Sequence, residues 1–140
     1  MSRGEGAELL VPAGESSRMK TLFSVAAAFT LLLGVAWLFF PEPMFSSWGV
    51  QPDPVAIYMA RRYGGLFFGY AVILWLARGA HASPARMAIL AGGAVVSGLM
   101  TIVSLVGVLS GVVGPVLWSA VALEALLTVG FSYYYVTGRS

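Results

Sequence analysis

The sequence predicts an all-α integral membrane protein that crosses the bilayer four times as an up-and-down bundle of transmembrane helices. Hydrophobic residues make up 59% of the 140 residues and charged residues only 10%, whereas soluble domains are about half apolar and about a quarter charged. Stretches of membrane-spanning length with few charges recur four times, separated by segments rich in proline, glycine and polar residues. Composition therefore excludes an ordinary water-soluble fold, and the length allows one domain.

The charged residues also limit the possible functions. Eight Lys and Arg give a net charge of only +2 and are spread thinly along the chain, so they form no basic patch for nucleic acid. The absence of cysteine excludes disulfides, thiolate metal sites, iron–sulfur clusters and cysteine nucleophiles. The partner that the composition does predict is the lipid bilayer.

The first predicted elements are a polar arm and one membrane span. Residues 1–20 contain Gly, Pro, Ser and charged residues without helical periodicity, which is typical of a mobile or interfacial arm. Residues 21–40 carry no charge and reach about 30 Å as a helix, enough to cross the hydrocarbon core. A cleavable secretory signal is the alternative, with a small-x-small site at 34–36. Against it, the apolar run continues beyond that site to Phe40.

The second span follows a proline-rich connection. Residues 41–53 contain three prolines and two acids together with Phe45 and Trp48, which predicts a loop that dips into the membrane interface. The span itself covers residues 54–77, with Asp53 as N-cap and Pro54 at the first helical position. It carries two arginines.

The third and fourth spans complete a membrane domain of residues 21–136. The third covers residues 85–109, with Ser83 as N-cap and Gly111 just past its end. The fourth covers residues 115–136 and contains one acid, Glu124, before a polar tail at 137–140. In this topology six basic residues fall on one side of the membrane and two on the other, so both termini are predicted to be cytoplasmic.

Arg61, Arg62 and Glu124 are the strongest candidates for a functional site. A charge at the centre of a membrane helix costs about 2.5–3.5 kcal/mol on insertion scales, so it requires compensation. The two arginines lie seven and eight residues after Pro54, and Glu124 lies nine after Pro115. These offsets place all three about 10–14 Å along their helices at about 1.5 Å per residue. We therefore expect an ion pair between the second and fourth spans in the outer half of the membrane.

Small residues indicate which arginine faces the acid. Arg61, Gly65 and Gly69 lie four apart on one helical stripe, and the two glycines form a small-xxx-small seam against which another helix can pack. Arg61 is thus the expected partner of Glu124, while Arg62 extends to phosphates or loop acids.

Gly93 and Ser97 form a similar packing pair on the third span. The hydroxyls of Thr101, Ser104 and Thr128 are expected to bond to their own helix backbone or to line a polar cavity with Glu124.

Three interpretations of the arginine–glutamate pair remain open. It is compatible with a purely structural pair that fixes helix register, with a ligand or lipid headgroup site, and with proton or ion translocation. No catalytic or metal-binding residue is predicted, because no Walker loop, dinucleotide fingerprint, HExxH or CxxC motif is present. The single histidine, His81, lies in a connection on the opposite side of the membrane from Asp53. This excludes a hydrolase triad of a serine with Asp53 and His81. The sequence therefore predicts no cofactor.

Residues 40–78, FPEPMFSSWGVQPDPVAIYMARRYGGLFFGYAVILWLAR, resemble the small bacterial four-helix membrane proteins of the DoxX-like group. The resemblance is carried by the proline-rich aromatic loop and by the helix that opens with ARRYGG. It implies a four-helix bundle in a bacterial inner membrane and, for some relatives, membership of membrane oxidoreductase assemblies. With one histidine and no cysteine, a redox role would depend on a partner subunit.

Two functions follow as hypotheses. The first is a non-enzymatic accessory or scaffold subunit, associated with other membrane protein subunits or with itself. The alternative is a binding or transport module for a lipophilic or anionic molecule, such as a lipid or quinone-like compound, at the outer-leaflet site of Arg61, Arg62 and Glu124. An enzyme ranks third, since only Glu124 and the tyrosines offer acid–base groups.

Overall fold

Helices account for all the regular structure in the described part of the chain. A computed structural model describes residues 13–138, with side chains from residue 17. Within these residues there is no strand, and the all-α class is confirmed. The elements are α1 (Ala13–Phe39), α2 (Pro41–Ser47), α3 (Pro54–Ala77), α4 (Pro84–Leu109), a 3₁₀ turn (Pro115–Leu117) and α5 (Trp118–Thr137).

Three helical segments are long and apolar enough to cross a membrane: Ser17–Phe39, Pro84–Leu109 and Pro115–Thr137. Large apolar side chains are exposed on their outer surfaces, among them Leu126, which is 69% exposed. These features indicate a membrane protein, because such a surface is suited to lipid. α3 has a comparable length of 24 residues but is not among these three apolar segments. It contains Arg61 and Arg62.

Helix starts follow the predicted local signals. The Asp53 carboxylate accepts a hydrogen bond of 2.7 Å from the backbone N–H of Ala56, and the Ser83 hydroxyl accepts one of 3.2 Å from Arg86. A proline occupies the first position of both α3 and α4, where no backbone N–H is needed. Both predicted N-caps are therefore confirmed.

The first helix begins earlier than the sequence predicted. Residues 13–20, assigned to the polar arm, belong to α1, and residues 1–12 lie outside the described part. Residues 15–20 contain neither proline nor glycine, so nothing interrupts a helix that the apolar span continues.

The connection at 41–53 also differs, because residues 41–47 form α2 rather than an irregular loop. Pro41 starts this helix and Phe45 packs it against α1. The Trp37 ring lies 5.2 Å from that of Phe45 and 4.8 Å from that of Trp48, in edge-to-face geometry. Trp37 is only 7% exposed, so it is buried within this aromatic cluster. The Gly114 N–H donates to the Trp48 carbonyl at 2.7 Å, which joins the first and third connections.

The long helices pack with alternating direction around a common centre. α1 lies along α3 and α4 lies along α5, while smaller contacts join α1 to α5 and α3 to α4. Around the centre the helices therefore follow in the order α1, α3, α4 and α5, so α3 and α5 are diagonal to each other. We call the end where α1 begins and α5 ends the proximal end, and the opposite end the distal end.

The apolar core is concentrated towards the proximal end and draws on all four long helices. Phe23, Leu74, Leu90 and Phe131 are almost completely buried there. The rings of Phe23 and Phe131 meet edge to face at 6.0 Å. This cluster fixes the proximal side of the central cavity described below.

Candidate functional site

The two arginines of α3 point away from the other helices. The buried stripe of α3 consists of Ala60, Gly64, Ala71, Leu74 and Ala77. Arg61 and Arg62 follow Ala60 by about 100° and 200° around the helix, and both are exposed. Their charged groups therefore lie on the outer surface of the protein.

Arg62 has one contact within the described residues, and it lies on the same helix. Its Nη1 is 3.4 Å from the Tyr58 hydroxyl, and its guanidinium carbon is 5.9 Å from the centroid of that ring. Tyr58 is one turn nearer to the distal end. Helical side chains lean towards the helix N-terminus, so Arg62 is directed distally along the surface.

Glu124 occupies a different environment. It is half-buried on α5, and its Oε2 atom is buried without a hydrogen-bond partner in the described part of the chain. The Ser104 hydroxyl of α4 approaches its carboxyl group. Glu124 thus faces α4 and the centre of the protein.

The predicted ion pair is consequently not formed: in residues 13–138 neither Arg61 nor Arg62 contacts Glu124. The physical reason is topological. In an alternating arrangement of four helices, the second and fourth long helices are diagonal and not adjacent, so α3 and α5 do not lie side by side. Similar depth along the two helices does not bring these side chains together.

A small central cavity lies between the four long helices. All four long helices line it, and each contributes one polar side chain: Thr30, Tyr70, Ser97 and Glu124. The remaining lining residues are apolar or glycine. The cavity volume is about 40 Å³, which is far below the roughly 300–1,000 Å³ of typical organic ligand sites.

Hydroxyl groups around this cavity are mostly satisfied by nearby oxygens. Thr30 donates to the Ala26 carbonyl at 2.8 Å and Ser97 donates to the Gly93 carbonyl at 2.7 Å. The Thr128 hydroxyl lies 3.0 Å from the Ser97 hydroxyl, linking α5 to α4. The Tyr70 hydroxyl, like Glu124 Oε2, is buried with no partner in the described part.

The helix-packing glycines of α3 are displaced by one residue from the prediction. Gly65 and Gly69 face open space, with no atom within 4 Å of a Cβ built on either. Gly64 makes the close approach instead, since a Cβ there would lie 2.6 Å from the Leu38 nitrogen. A Cβ on Gly34 would lie 2.9 Å from the nitrogen of Phe68. The tight crossing of α1 and α3 is therefore at Gly34 and Gly64.

On α4, Gly93 and Ser97 lie on the buried face. A Cβ on Gly93 would lie 2.9 Å from the ring of Phe131, and Ser97 contacts Thr128 as described above. These two positions lie in the α4–α5 contact.

Other parts of the described chain offer little for chemistry. No group of three or more His, Asp or Glu able to hold a metal ion occurs among them. A shallow groove at the distal end, between Trp48 and Pro115, has glycine and apolar walls. His81 is exposed in the α3–α4 connection.

Sequence reasoning missed Tyr70 and Thr30. Tyr70 is one residue before Ala71 on the buried side of α3, in the middle of an apolar run. A tyrosine in the middle of an apolar run has a hydroxyl that needs a hydrogen-bond partner. This feature of the sequence could have indicated Tyr70 as part of the polar interior.

A known family matches most of the chain. The family described as Domain of unknown function (DUF8292) matches residues 6–136, and the chain belongs to this family. No curated protein and no solved structure matches the chain.

Proposed function

We propose that this member of the DUF8292 family is a non-enzymatic accessory subunit of a membrane assembly, built as a four-span up-and-down bundle. In this proposal α1, α3, α4 and α5 all cross the membrane, and the exposed face of α3 packs against a transmembrane helix of a partner protein. The resemblance of residues 40–78 to DoxX-like proteins is compatible with this proposal and stays a prediction.

The exposed surface of α3 supports its assignment as the fourth span. Its 24 residues correspond to about 36 Å at about 1.5 Å per residue, enough for the hydrocarbon core. Leu66 is 69% exposed, Ile73 49% and Leu76 73%. A helix that presents such side chains along its length, and packs on a membrane-spanning neighbour, is stable when lipid surrounds it.

The main support for an accessory function is the open seam of small residues on the exposed surface of α3. Gly65 and Gly69 lie four residues apart and meet nothing within 4 Å. In membranes such seams allow two helices to approach closely and are used for association. Because α1 occupies the other stripe of α3, at Gly64, the Gly65–Gly69 seam is free for a second molecule.

Arg61 specifies the chemistry of the partner. It lies one turn from Gly65 on the same stripe and is exposed, and Glu124 is not its counter-charge. A charge at this depth costs several kcal/mol unless it is paired. The partner helix is therefore expected to carry an acidic side chain, or to present its C-terminal carbonyls, opposite Arg61.

Single-cysteine crosslinking in native membranes tests this assignment, since the chain has no cysteine of its own. Gly65→Cys should crosslink to a discrete partner, whereas Gly92→Cys, at an equally open glycine on α4, should not. Gly65→Ile should abolish co-purification of that partner. Equal crosslinking at positions 65 and 92, or none at either, would contradict the proposal; a crosslinked homodimer would assign the seam to self-association.

The orientation is proposed from the distribution of basic residues, with both termini cytoplasmic in a bacterial inner membrane. A membrane-impermeant thiol reagent added to intact cells should label Ser47→Cys, at the distal end, and not His81→Cys, at the proximal end; both positions are exposed. The opposite pattern would invert the topology.

Binding of anionic lipid is a second candidate function, favoured by the direction of Arg62. Its guanidinium lies beside Tyr58 and is oriented towards the distal end, where lipid phosphates lie if α3 spans the membrane. Guanidinium groups bind phosphate bidentately. Native mass spectrometry should then show retained anionic lipid that Arg62→Leu removes and Gly65→Ile does not.

A further inference from the structure

The central cavity contains two buried polar groups that the described residues leave unpaired. They are the Tyr70 hydroxyl and Glu124 Oε2. Buried polar atoms in proteins nearly always have a hydrogen-bond partner, either a protein group or an ordered water molecule. The hydroxyls of Thr30 on α1 and Ser97 on α4 already donate to backbone carbonyls, so they do not release a donor for the carboxyl group.

The size of the cavity identifies the class of its occupant. A water molecule needs about 10–15 Å³ of space measured for its centre, and the cavity provides about 40 Å³. This is room for one to a few water molecules and too little for a lipid or another organic ligand. The wall is otherwise largely apolar, and the Tyr70 hydroxyl and Glu124 Oε2 supply the minimum of two polar partners that an internal water needs.

The charge state of Glu124 follows from what faces it. α4 presents Ser104, α3 presents Tyr70 and α1 presents Thr30. The arginines nearest in depth lie on the exposed surface of α3, so no cation among the described residues faces the carboxyl group. Apart from the Ser104 hydroxyl, no described side chain stabilises a carboxylate here, and a carboxylate that is withdrawn from water without a cationic partner takes up a proton.

We propose that the central cavity is an internal water site in which water bridges the Tyr70 hydroxyl to a protonated Glu124. The protonated carboxyl group donates to this water, and the water donates to or accepts from the tyrosine. The site thus holds one exchangeable proton at the centre of the four helices. It is independent of the partner contact proposed above, because it lies on the opposite side of α3.

Infrared spectroscopy of the protein in lipid bilayers tests both parts of the proposal. The wild type should show a C=O stretching band of a protonated carboxylic acid at neutral pH, absent from Glu124→Gln and shifted to lower frequency in D₂O. Tyr70→Phe should move the band to higher frequency because the bridging water loses a partner. Tyr63→Phe, an exposed tyrosine on the same helix, should leave it unchanged.

Chemical modification gives a second measurement that requires no folded variant. The hydrophobic reagent dicyclohexylcarbodiimide adds to protonated carboxylic acids, and peptide mapping of the wild type should locate an adduct at Glu124. Absence of both the band and the adduct would overturn the protonated state. A band that neither D₂O nor Tyr70→Phe shifts would overturn the water bridge.

Discussion

Replacing Gly64 by alanine should force α1 and α3 apart. A Cβ at this position would lie 2.6 Å from the Leu38 nitrogen and 2.9 Å from the Gly34 carbonyl oxygen. Ordinary van der Waals contact begins at 3.4 Å, so the helices must separate by roughly 1 Å at the crossing. Both obstacles are backbone atoms, and no side-chain rotation relieves them.

The expected cost can be estimated from two opposing effects. Overpacking a well-packed site costs about 1–3 kcal/mol, and this site belongs at the upper limit because the obstacles are backbone. Alanine recovers about 1 kcal/mol through its higher helix propensity. Gly64→Ala should therefore lower the free energy of unfolding by roughly 2 kcal/mol, given these two magnitudes.

The matched control is the next residue. Gly65→Ala makes the same chemical change where a Cβ meets nothing within 4 Å, so only the propensity gain of about 1 kcal/mol applies. The two variants should differ by about 3 kcal/mol, which is the sum of these effects. Reversible unfolding in mixed micelles, followed by circular dichroism as the fraction of sodium dodecyl sulfate rises, measures both. Equal stability of the two variants would refute the assignment of the crossing to Gly64.

Two further predictions concern the α4–α5 contact. Gly93→Ala places its Cβ 2.9 Å from the Phe131 ring. Because a ring can shift, the same unfolding assay should show a smaller loss in the free energy of unfolding, about 1 kcal/mol. Its control, Gly92→Ala, should not destabilise the protein. Thr128→Val keeps the shape of the side chain but removes the hydroxyl, which lies 3.0 Å from the Ser97 hydroxyl and 2.7 Å from the Glu124 carbonyl oxygen. Loss of the hydrogen bond to Ser97 should cost about 0.6 kcal/mol, the average for bonds between membrane helices, and at most about 1.7 kcal/mol. A more stable Thr128→Val protein would mean that this bond contributes nothing.

The helix ends were predictable because their signals are local. Asp53 and Ser83 each accept a hydrogen bond from a backbone group three residues on, and each precedes a proline. Such capping depends on a few adjacent residues and needs no knowledge of the tertiary fold. The helical content of residues 41–47 was missed for the opposite reason, since α2 depends on the packing of Phe45 against Trp37.

The direction in which α3 faces was harder to predict, because two of its stripes contain small residues. The stripe of Arg61, Gly65 and Gly69 was expected to face inward, but the buried stripe includes Ala60 and Gly64. The inward direction was predicted from the small-xxx-small seam of Gly65 and Gly69 together with the assumed pairing of Arg61 with Glu124. Rotation about the helix axis depends on which neighbour is present, and spacing along one helix does not contain that information.

The interior location of Glu124 was expected, and so, as one of two alternatives, was a polar cavity shared with Ser104; the absence of both arginines from its surroundings was not. Spacing along the sequence predicts how far along its helix a residue lies. Glu124 was paired with the arginines because these predicted positions agreed. Helix order then placed α5 diagonally from α3, so the acid met Ser104 of α4 and the cavity it shares with Tyr70. Contacts between helices thus required the topology as well as the depth.

The separation of Arg61 from Glu124 links the proposed partner contact on α3 to the proposed water site in the cavity. If the two charges do not meet, Arg61 is compensated from outside the chain and Glu124 is neutralised by a proton. Arg61→Leu should then leave the carboxylic acid band of Glu124 unchanged in frequency and intensity. It should at the same time weaken co-purification of the partner. If the acid band instead appeared only in Arg61→Leu, Glu124 would be ionised in the wild type and paired with this arginine.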